Sequence, residues 1–348
     1  MSLLREPVQS VGTTMAAVSR THVIAEMACS HDGSPTLARA IIDSAGSAGA
    51  DAIQFQIWKL EDMMVRRHPA FDQVKRLELA PADWTSLAGY VRGRWPEMQI
   101  VACVYEPSGI DLAERIGVDA YKIHAADLAT PELIKAVAAT GRRIDLSVGA
   151  STIAEIEAAL EWIRAVGDVP IWLMYGYQLF PTPTAALDLA MMMKLRQLFD
   201  LPVGYQDHTA GGEAGAFWLP AAALGMGVEI LEKHITHDRS RKGADHEAAL
   251  NPDEFARFVQ MVRAIETARG TGRPRPFTEA ELKYRVYSKK SLVARHALPA
   301  GTMLKPDDLV ALRSPELGLP PSRRAELVGR ALKRDIKAQA LVAIEDLA

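Results

Sequence analysis

The stretch THVIAEMACSHDGSPTLARAIIDSAGSAGADAIQFQIW, residues 21–58, decides the fold. An apolar, β-branched run over 22–28 is followed by Ser34-Pro35, a helix start with serine as N-cap and proline in the first turn. An Ala/Leu/Ile-rich amphipathic stretch then runs to Gly49, and a second apolar run fills 51–58. This is a strand–helix–strand unit, which pairs its strands in parallel. Six more strand candidates follow, at 99–105, 120–126, 142–148, 169–176, 202–208 and 227–236. Eight strands with helices between them predict a closed (β/α)8 TIM barrel rather than an open sheet. A dinucleotide-binding turn is not expected, because CSHDGS after the first strand lacks paired glycines.

Outward from that unit, Ser151 and Glu155 open a helix expected to close at Gly167, and NPDEF opens another with Asp253 and Glu254 in its first turn. Residues 214–228, broken by Pro220, fall short of the roughly 20 apolar residues of a spanning helix and read as a buried helix. The first 20 residues hold no continuous apolar core of signal-peptide type and read as a lead-in to a barrel over 21–265. Around 266–283, ETARGTGRPRPFTEAELK dissolves into Gly, Pro and Arg with one short helical patch, the composition of a linker. Residues 284–348 mix short strands with turns such as PAGT and GLPP. A module of that size is near the lower limit for an independent core and is expected to pack on something larger.

Composition narrows the function. Of 348 residues, 40 are Lys or Arg and 43 are Asp or Glu, a net charge of −3 without the basic excess of a phosphate-backbone binder, so nucleic acid is not an expected partner. Two cysteines, Cys29 and Cys103, make no disulfide framework in a chain this long, and the expected compartment is the reducing cytoplasm. No membrane association is expected.

In a TIM barrel the chemistry lies at the C-terminal ends of the strands. Six of the nine histidines (His31, His124, His208, His234, His237, His246) fall on that face. His208 ends the seventh strand and His234 lies near the end of the eighth, so neighbouring strands bring them within reach of one ion. Two imidazoles with water and substrate oxygens form an open divalent site that can polarise a carbonyl; the alternative is a pair of hydrogen-bonded core histidines. Glu26 in an apolar run must meet a polyol, a metal or a base, or pair with a residue such as Lys122. Lys122 can hold an anion or a carbonyl, or pair with Glu26 or Asp127. Asp245 and His246 either reach over the mouth or belong to a solvated loop. Both cysteines read as small wall residues.

IAEMACSHDGSPTLARAIIDSAGSAGADAIQFQ, YQDHT, ALGMGVEILEKHITHDRSRKGADHEAALNPDEF and LVARHALPAGTMLKPDDLVALRSPELG, in that order, resemble the sialic acid (N-acetylneuraminate) synthase family, with its legionaminic, pseudaminic and spore coat polysaccharide members. The likeness covers residues 21–348 and implies a barrel followed by a small β-rich SAF, or antifreeze-like, module. It further implies a domain-swapped homodimer and condensation of phosphoenolpyruvate with an N-acylated amino sugar to a nine-carbon 2-keto acid plus phosphate, using Mn2+ or Mg2+. It would give the metal to His208 and His234, and catalytic roles to Glu26, Lys122 and Asp245. Gln56 would line the site, and Lys122 and Ser147 would contact phosphoenolpyruvate. Arg313 would reach into the partner's site.

The chain departs from the family pattern around the donor. Gln54 replaces a lysine, Cys103 a threonine, His124 and Ala125 a Gly-Ser pair, Gln178 an asparagine and Gln206 a serine. Exchanging lysine for a neutral amide removes a charge-assisted contact to an anion, for which a protonated His124 would partly compensate. The resemblance therefore leaves two alternatives beside phosphoenolpyruvate condensation: an aldolase using a pyruvate-type donor, and a non-catalytic sugar-binding relative.

Overall fold

The computed structural model describes residues 20–348, so the expected lead-in lies outside the described residues except for Arg20. The chain divides into two compact units, with the break after Thr271. In the first, eight parallel strands close a barrel in chain order: β1 (His22–Glu26), β2 (Ala52–Ile57), β3 (Gln99–Val104), β4 (Ala120–Ile123), β5 (Arg143–Ser147), β6 (Ile171–Tyr175), β7 (Val203–Asp207) and β8 (Ile230–His234). Each lies within its predicted run, and β8 pairs with β1 to complete the ring, His234 opposite Glu26.

Period-two alternation sorts these strands into a core and a site. Val23, Ala25, Ile53, Phe55, Ile100, Ala102 and Leu231 face outward into the main core with the surrounding helices. The intervening positions face inward. Ile24, Ala52, Val101, Ala120, Met174 and Ile230, from six different strands, form a separate apolar plug inside the barrel. Two residues further along five of those strands stand Glu26, Gln54, Cys103, Lys122 and Glu232, a polar layer on an apolar floor.

The helix Pro35–Ala48 starts on Ser34, whose hydroxyl accepts from the Leu37 amide, and it ends before Gly49 as predicted. One helix start is corrected. Thr152, not Ser151, caps Ile153–Arg164, because only a residue three before Glu155 can exchange hydrogen bonds with it; Ser151 instead donates to the Gly149 carbonyl, and the helix stops short of Gly167. The helix Pro252–Arg269 runs past residue 265, and the Gly/Pro-rich stretch after it leads into a second helix, Glu279–Ser288. Residues 214–228 contain the helix Gly215–Gly225, and no helix among the described residues is long and apolar enough to cross a membrane.

The second unit holds one antiparallel pair, β9 (Lys290–Ala294) and β10 (Leu309–Arg313), with isolated bridges such as Leu298–Ile336 and Met303–Ala331. It has its own core, including Leu292, Leu304, Leu309, Leu327, Leu332 and Val342.

Candidate active site at the barrel mouth

Of the twelve residues predicted for the site, ten line one cavity at the C-terminal ends of the strands: Glu26, Gln54, Gln56, Lys122, His124, Ser147, Gln178, Gln206, His208 and His234. Cys103 and Phe180 complete the wall. Two stand apart. Asp245, half-buried in the loop after β8, is not in the wall, although its charge helps to raise the pKa of Glu26. Arg313 ends β10 in the second unit and is exposed.

The cavity is tight, about 30 Å³, because its polar groups close on one another. The Lys122 ammonium lies 2.5 Å from both carboxylate oxygens of Glu232 and 2.9 Å from Gln206 Oε1. Gln206 Nε2 donates to Ser147 Oγ at 2.8 Å, so one network joins β4, β5, β7 and β8. Burial opposes the charge on Lys122, but Glu232 and Glu26 outweigh it and hold the pKa above the ordinary lysine value. Lys122 thus pairs with Glu232, not with the Glu26 or Asp127 considered from sequence. On the other side of the mouth, the Tyr105 hydroxyl donates to Gln56 Oε1 at 3.1 Å, and Gln56 Nε2 approaches Glu26 Oε1 at 3.4 Å. The same Glu26 oxygen accepts the Ala28 amide at 2.5 Å. Burial, then the Glu232 charge, pushes the Glu26 carboxyl well above the usual range, which favours its protonated form. Gln54 Oε1 is buried without a partner among the described residues.

Two sequence expectations change here. Burial, then the Lys122 charge, lowers His124 to about 4, so it is neutral at pH 7 and supplies no compensating cation. Cys103 is a wall residue as expected, and burial pushes its thiol up, away from nucleophilic use.

The rings of His208 and His234 lie 5.3 Å apart, and Phe180 packs over both, 4.2 Å from the first and 5.7 Å from the second. His208 Nδ1 lies 2.8 Å from the Tyr177 carbonyl, which can only accept; the proton is therefore on Nδ1 and the Nε2 lone pair is left free. His234 Nδ1 is buried with no hydrogen-bond partner among the described residues. Burial lowers His208 to about 4 and holds His234 well below the ordinary histidine value, keeping both imidazoles neutral. A neutral pair with uncommitted nitrogens fits two ligands of a divalent ion. Behind them, the outward-facing neighbours Asp207 and Lys233 form a fully buried ion pair at 2.7 Å; Tyr205 and Thr209 also donate to Asp207, so β7 and β8 are pinned beside the histidines. Close approach also matters in the loop after β6: a Cβ on Gly176 would stand 2.2 Å from the Gln206 carbonyl oxygen.

Sequence reading missed the part played by Glu232 and Phe180. Glu232 carries a signal, since it alternates with Ile230 and His234 on one face of β8; Phe180 lies in an irregular loop with no periodicity to mark it. A roomier hollow of about 490 Å³, lined by His22, Trp172 and Arg196 among others, opens at the N-terminal end of the barrel. Size alone does not choose the site. The converging titratable groups do, and they are at the mouth.

A closed (β/α)8 barrel with an apolar floor, one buried Lys–Glu pair and a neutral histidine pair at its C-terminal mouth defines a barrel protein built to hold a small polar ligand there. The chain belongs to the NeuB family, whose model matches residues 41–274, and residues 289–348 match the SAF domain. It is 28% identical over 335 residues to an N,N'-diacetyllegionaminic acid synthase of Legionella pneumophila, covering 91% of each chain. Among solved structures, it is similar to the N-acetylneuraminic acid synthetase of Leptospira borgpetersenii in complex with citrate, with 28% identity and a TM-score of 0.69 over 78% of this chain and 93% of that one. It is also similar to the spore coat polysaccharide biosynthesis protein SpsE of Bacillus subtilis, with 27% identity and a TM-score of 0.65 over 98% of each chain.

Proposed function

We propose that this protein condenses phosphoenolpyruvate, with addition of one water, with the open-chain form of an N-acylated amino sugar, giving a nine-carbon 2-keto sugar acid and phosphate for surface polysaccharide, in the cytoplasm. The observation that carries the reading is the convergence of ten predicted site residues on one cavity, in a chain whose relatives are named as synthases of such acids. His208 and His234 would hold Mn2+ or Mg2+. When bound there, the ion supplies Lewis-acid polarisation of the sugar aldehyde.

The chain's own groups divide the remaining work. Lys122, oriented by Glu232 and Gln206, offers the cation for the donor's anionic groups, and Ser147 adds a hydroxyl. Glu26, favouring its protonated form, can donate to a sugar hydroxyl while Gln56 holds its other side. Phe180 covers the histidines and limits water. Asp245 would approach the sugar from the β8 loop, and Arg313 would come from the SAF module of a second copy in a domain-swapped homodimer.

The test is phosphate release from phosphoenolpyruvate with Mn2+ across a panel of N-acylated hexosamines. No release with any acceptor, in metal-loaded folded protein, overturns the proposal. One observation favours a second reading: Lys122, the one cation lining the cavity among the described residues, is already paired with Glu232, which suits a singly charged donor of pyruvate type. Pyruvate-dependent turnover in the same assay would establish it.

A further inference from the structure

We propose that Asp32, His237 and His246 form a second metal site, on the barrel rim, that takes a borderline transition ion such as Zn2+. The three come from the two loops that flank the β1–β8 seam, and one ligand atom of each lies within 4.8 Å of the others. His246 Nε2 is 3.4 Å from Asp32 Oδ1, and His237 Nε2 is 4.0 Å from Asp32 Oδ2. The two imidazole rings stand at 89° with centroids 5.5 Å apart.

The tautomers follow from the hydrogen bonds. His237 Nδ1 is 3.0 Å from the Ser30 carbonyl, and His246 Nδ1 is 3.0 Å from the Asp238 carbonyl. A carbonyl only accepts, so both protons reside on Nδ1 and both Nε2 lone pairs point away from those anchors. This is how metal-bound histidines are held, with the distal nitrogen donating to the backbone. Both Nε2 atoms are buried and have no hydrogen-bond partner among the described residues, and the His246 side chain is fully buried.

An ion pair between Asp32 and protonated histidines explains the arrangement less well. At 3.4 and 4.0 Å the contacts exceed the roughly 2.7–2.9 Å of a charge-assisted hydrogen bond and would leave buried N–H groups unmade. Around a tetrahedral ion with bonds of about 2.0–2.1 Å, neighbouring ligand atoms stand roughly 3.4 Å apart, so one edge already has its length and the others need to draw in by an ångström or so. Two neutral imidazoles and a carboxylate suit zinc or cobalt better than magnesium or calcium, which prefer all-oxygen ligands. Gly243 keeps the space open: a Cβ there would fall 2.6 Å from Asp32 Oδ1 and 2.7 Å from His246 Nε2. Asp32 remains a quarter exposed, which gives an ion access. Bound metal would tie the loop after β1 to the loop after β8 and so fix Asp245, the residue before His246.

The test is metal content of the full chain, stripped by chelator and dialysed against Zn2+, with Co2+ absorption as a second readout; neither depends on condensation activity. In a His208→Ala/His234→Ala background, about one zinc per chain should remain, and adding His237→Leu or Asp32→Asn should weaken its binding at least 100-fold. If that background does not fold, the same loss of one equivalent should appear between the wild type and His237→Leu. In the His208→Ala/His234→Ala protein, cobalt should give the intense visible bands of a four-coordinate ion, lost when His237→Leu is added. Chelator should lower the melting temperature of the His208→Ala/His234→Ala protein and leave unmoved that of the same protein carrying His237→Leu. Equal zinc stoichiometry and affinity in the wild type, His237→Leu and Asp32→Asn overturns the site, as does a folded His208→Ala/His234→Ala protein that binds none.

Discussion

Lys122 and Glu232 face each other across the barrel mouth as a two-point ion pair, 2.5 Å from the ammonium to each carboxylate oxygen, with both side chains at most 5% exposed. Such a pair offsets its own desolvation only while both partners are present. Glu232→Gln should therefore cost about 3–5 kcal/mol by leaving a buried ammonium without its counter-charge, and Lys122→Met a similar amount. The double variant Lys122→Met/Glu232→Met should recover most of that loss. Urea unfolding of the four proteins closes the cycle, and a double variant as unstable as the sum of the singles would show that the two residues do not act as a pair.

Asp207 and Lys233 make the corresponding pair on the outer side of β7 and β8, each one residue before a histidine of the mouth. Lys233→Met should destabilise the barrel by about 3–5 kcal/mol, because Asp207 keeps its hydroxyl and amide donors but loses the Lys233 ammonium that pairs with it. If the pair also sets the spacing of His208 and His234, Mn2+ affinity should fall at the same time. Calorimetric titration with Mn2+ under conditions where the variant is folded separates the two effects; unchanged affinity would confine the pair to stability.

How much of this was legible in the sequence depends on periodicity. All eight strands could be placed because each is an apolar run bounded by helix signals, and their order around the ring follows from parallel βα connections. The polar residues inside the mouth were also visible, since Glu26, Gln54 and Lys122 interrupt strand runs that are otherwise largely apolar. Pairing was not. Which carboxylate meets Lys122 depends on how strands 4 and 8, distant in the ring, lean across the interior, and no spacing along the chain encodes that distance. Likewise Phe180 acts from a loop whose path is set by tertiary contacts, and the protonation of His124 depends on a burial that only the assembled mouth creates.

His124 carries a pH consequence with a definite sign. Its folded pKa of about 4 lies below the ordinary 6.5, so between those values the unfolded chain binds the proton and the folded chain does not. The stability it contributes is complete above about pH 6.5 and is lost as pH falls toward 4. Relative to His124→Gln, the wild type should lose stability over that window, with a slope discounted for partial exposure to about 1 kcal/mol per pH unit or less. Denaturation midpoints at pH 7, 6, 5 and 4.5 measure it. A constant difference between the two proteins would mean that the ring is solvated and titrates normally.

Gln54 offers the most direct test of the donor. Its Oε1 is buried without a partner among the described residues, and in the parallel register it stands beside Glu26. A lysine there would bring a second cation into a cavity where Lys122, the one cation among the described lining residues, is already paired. On the phosphoenolpyruvate reading, Gln54→Lys should lower the KM for that donor by roughly 10- to 100-fold, the size of one added charge-assisted hydrogen bond of about 1.5–3 kcal/mol, with kcat changed far less. The competing fate of the new ammonium is capture by Glu26, whose raised pKa would then fall toward the ordinary range. Steady-state phosphate release as a function of donor concentration distinguishes the two. A lower KM places the donor's anionic groups at the β2 side of the mouth, whereas an unchanged KM with loss of acceptor affinity shows that the lysine has been taken up by Glu26 and that the donor binds elsewhere.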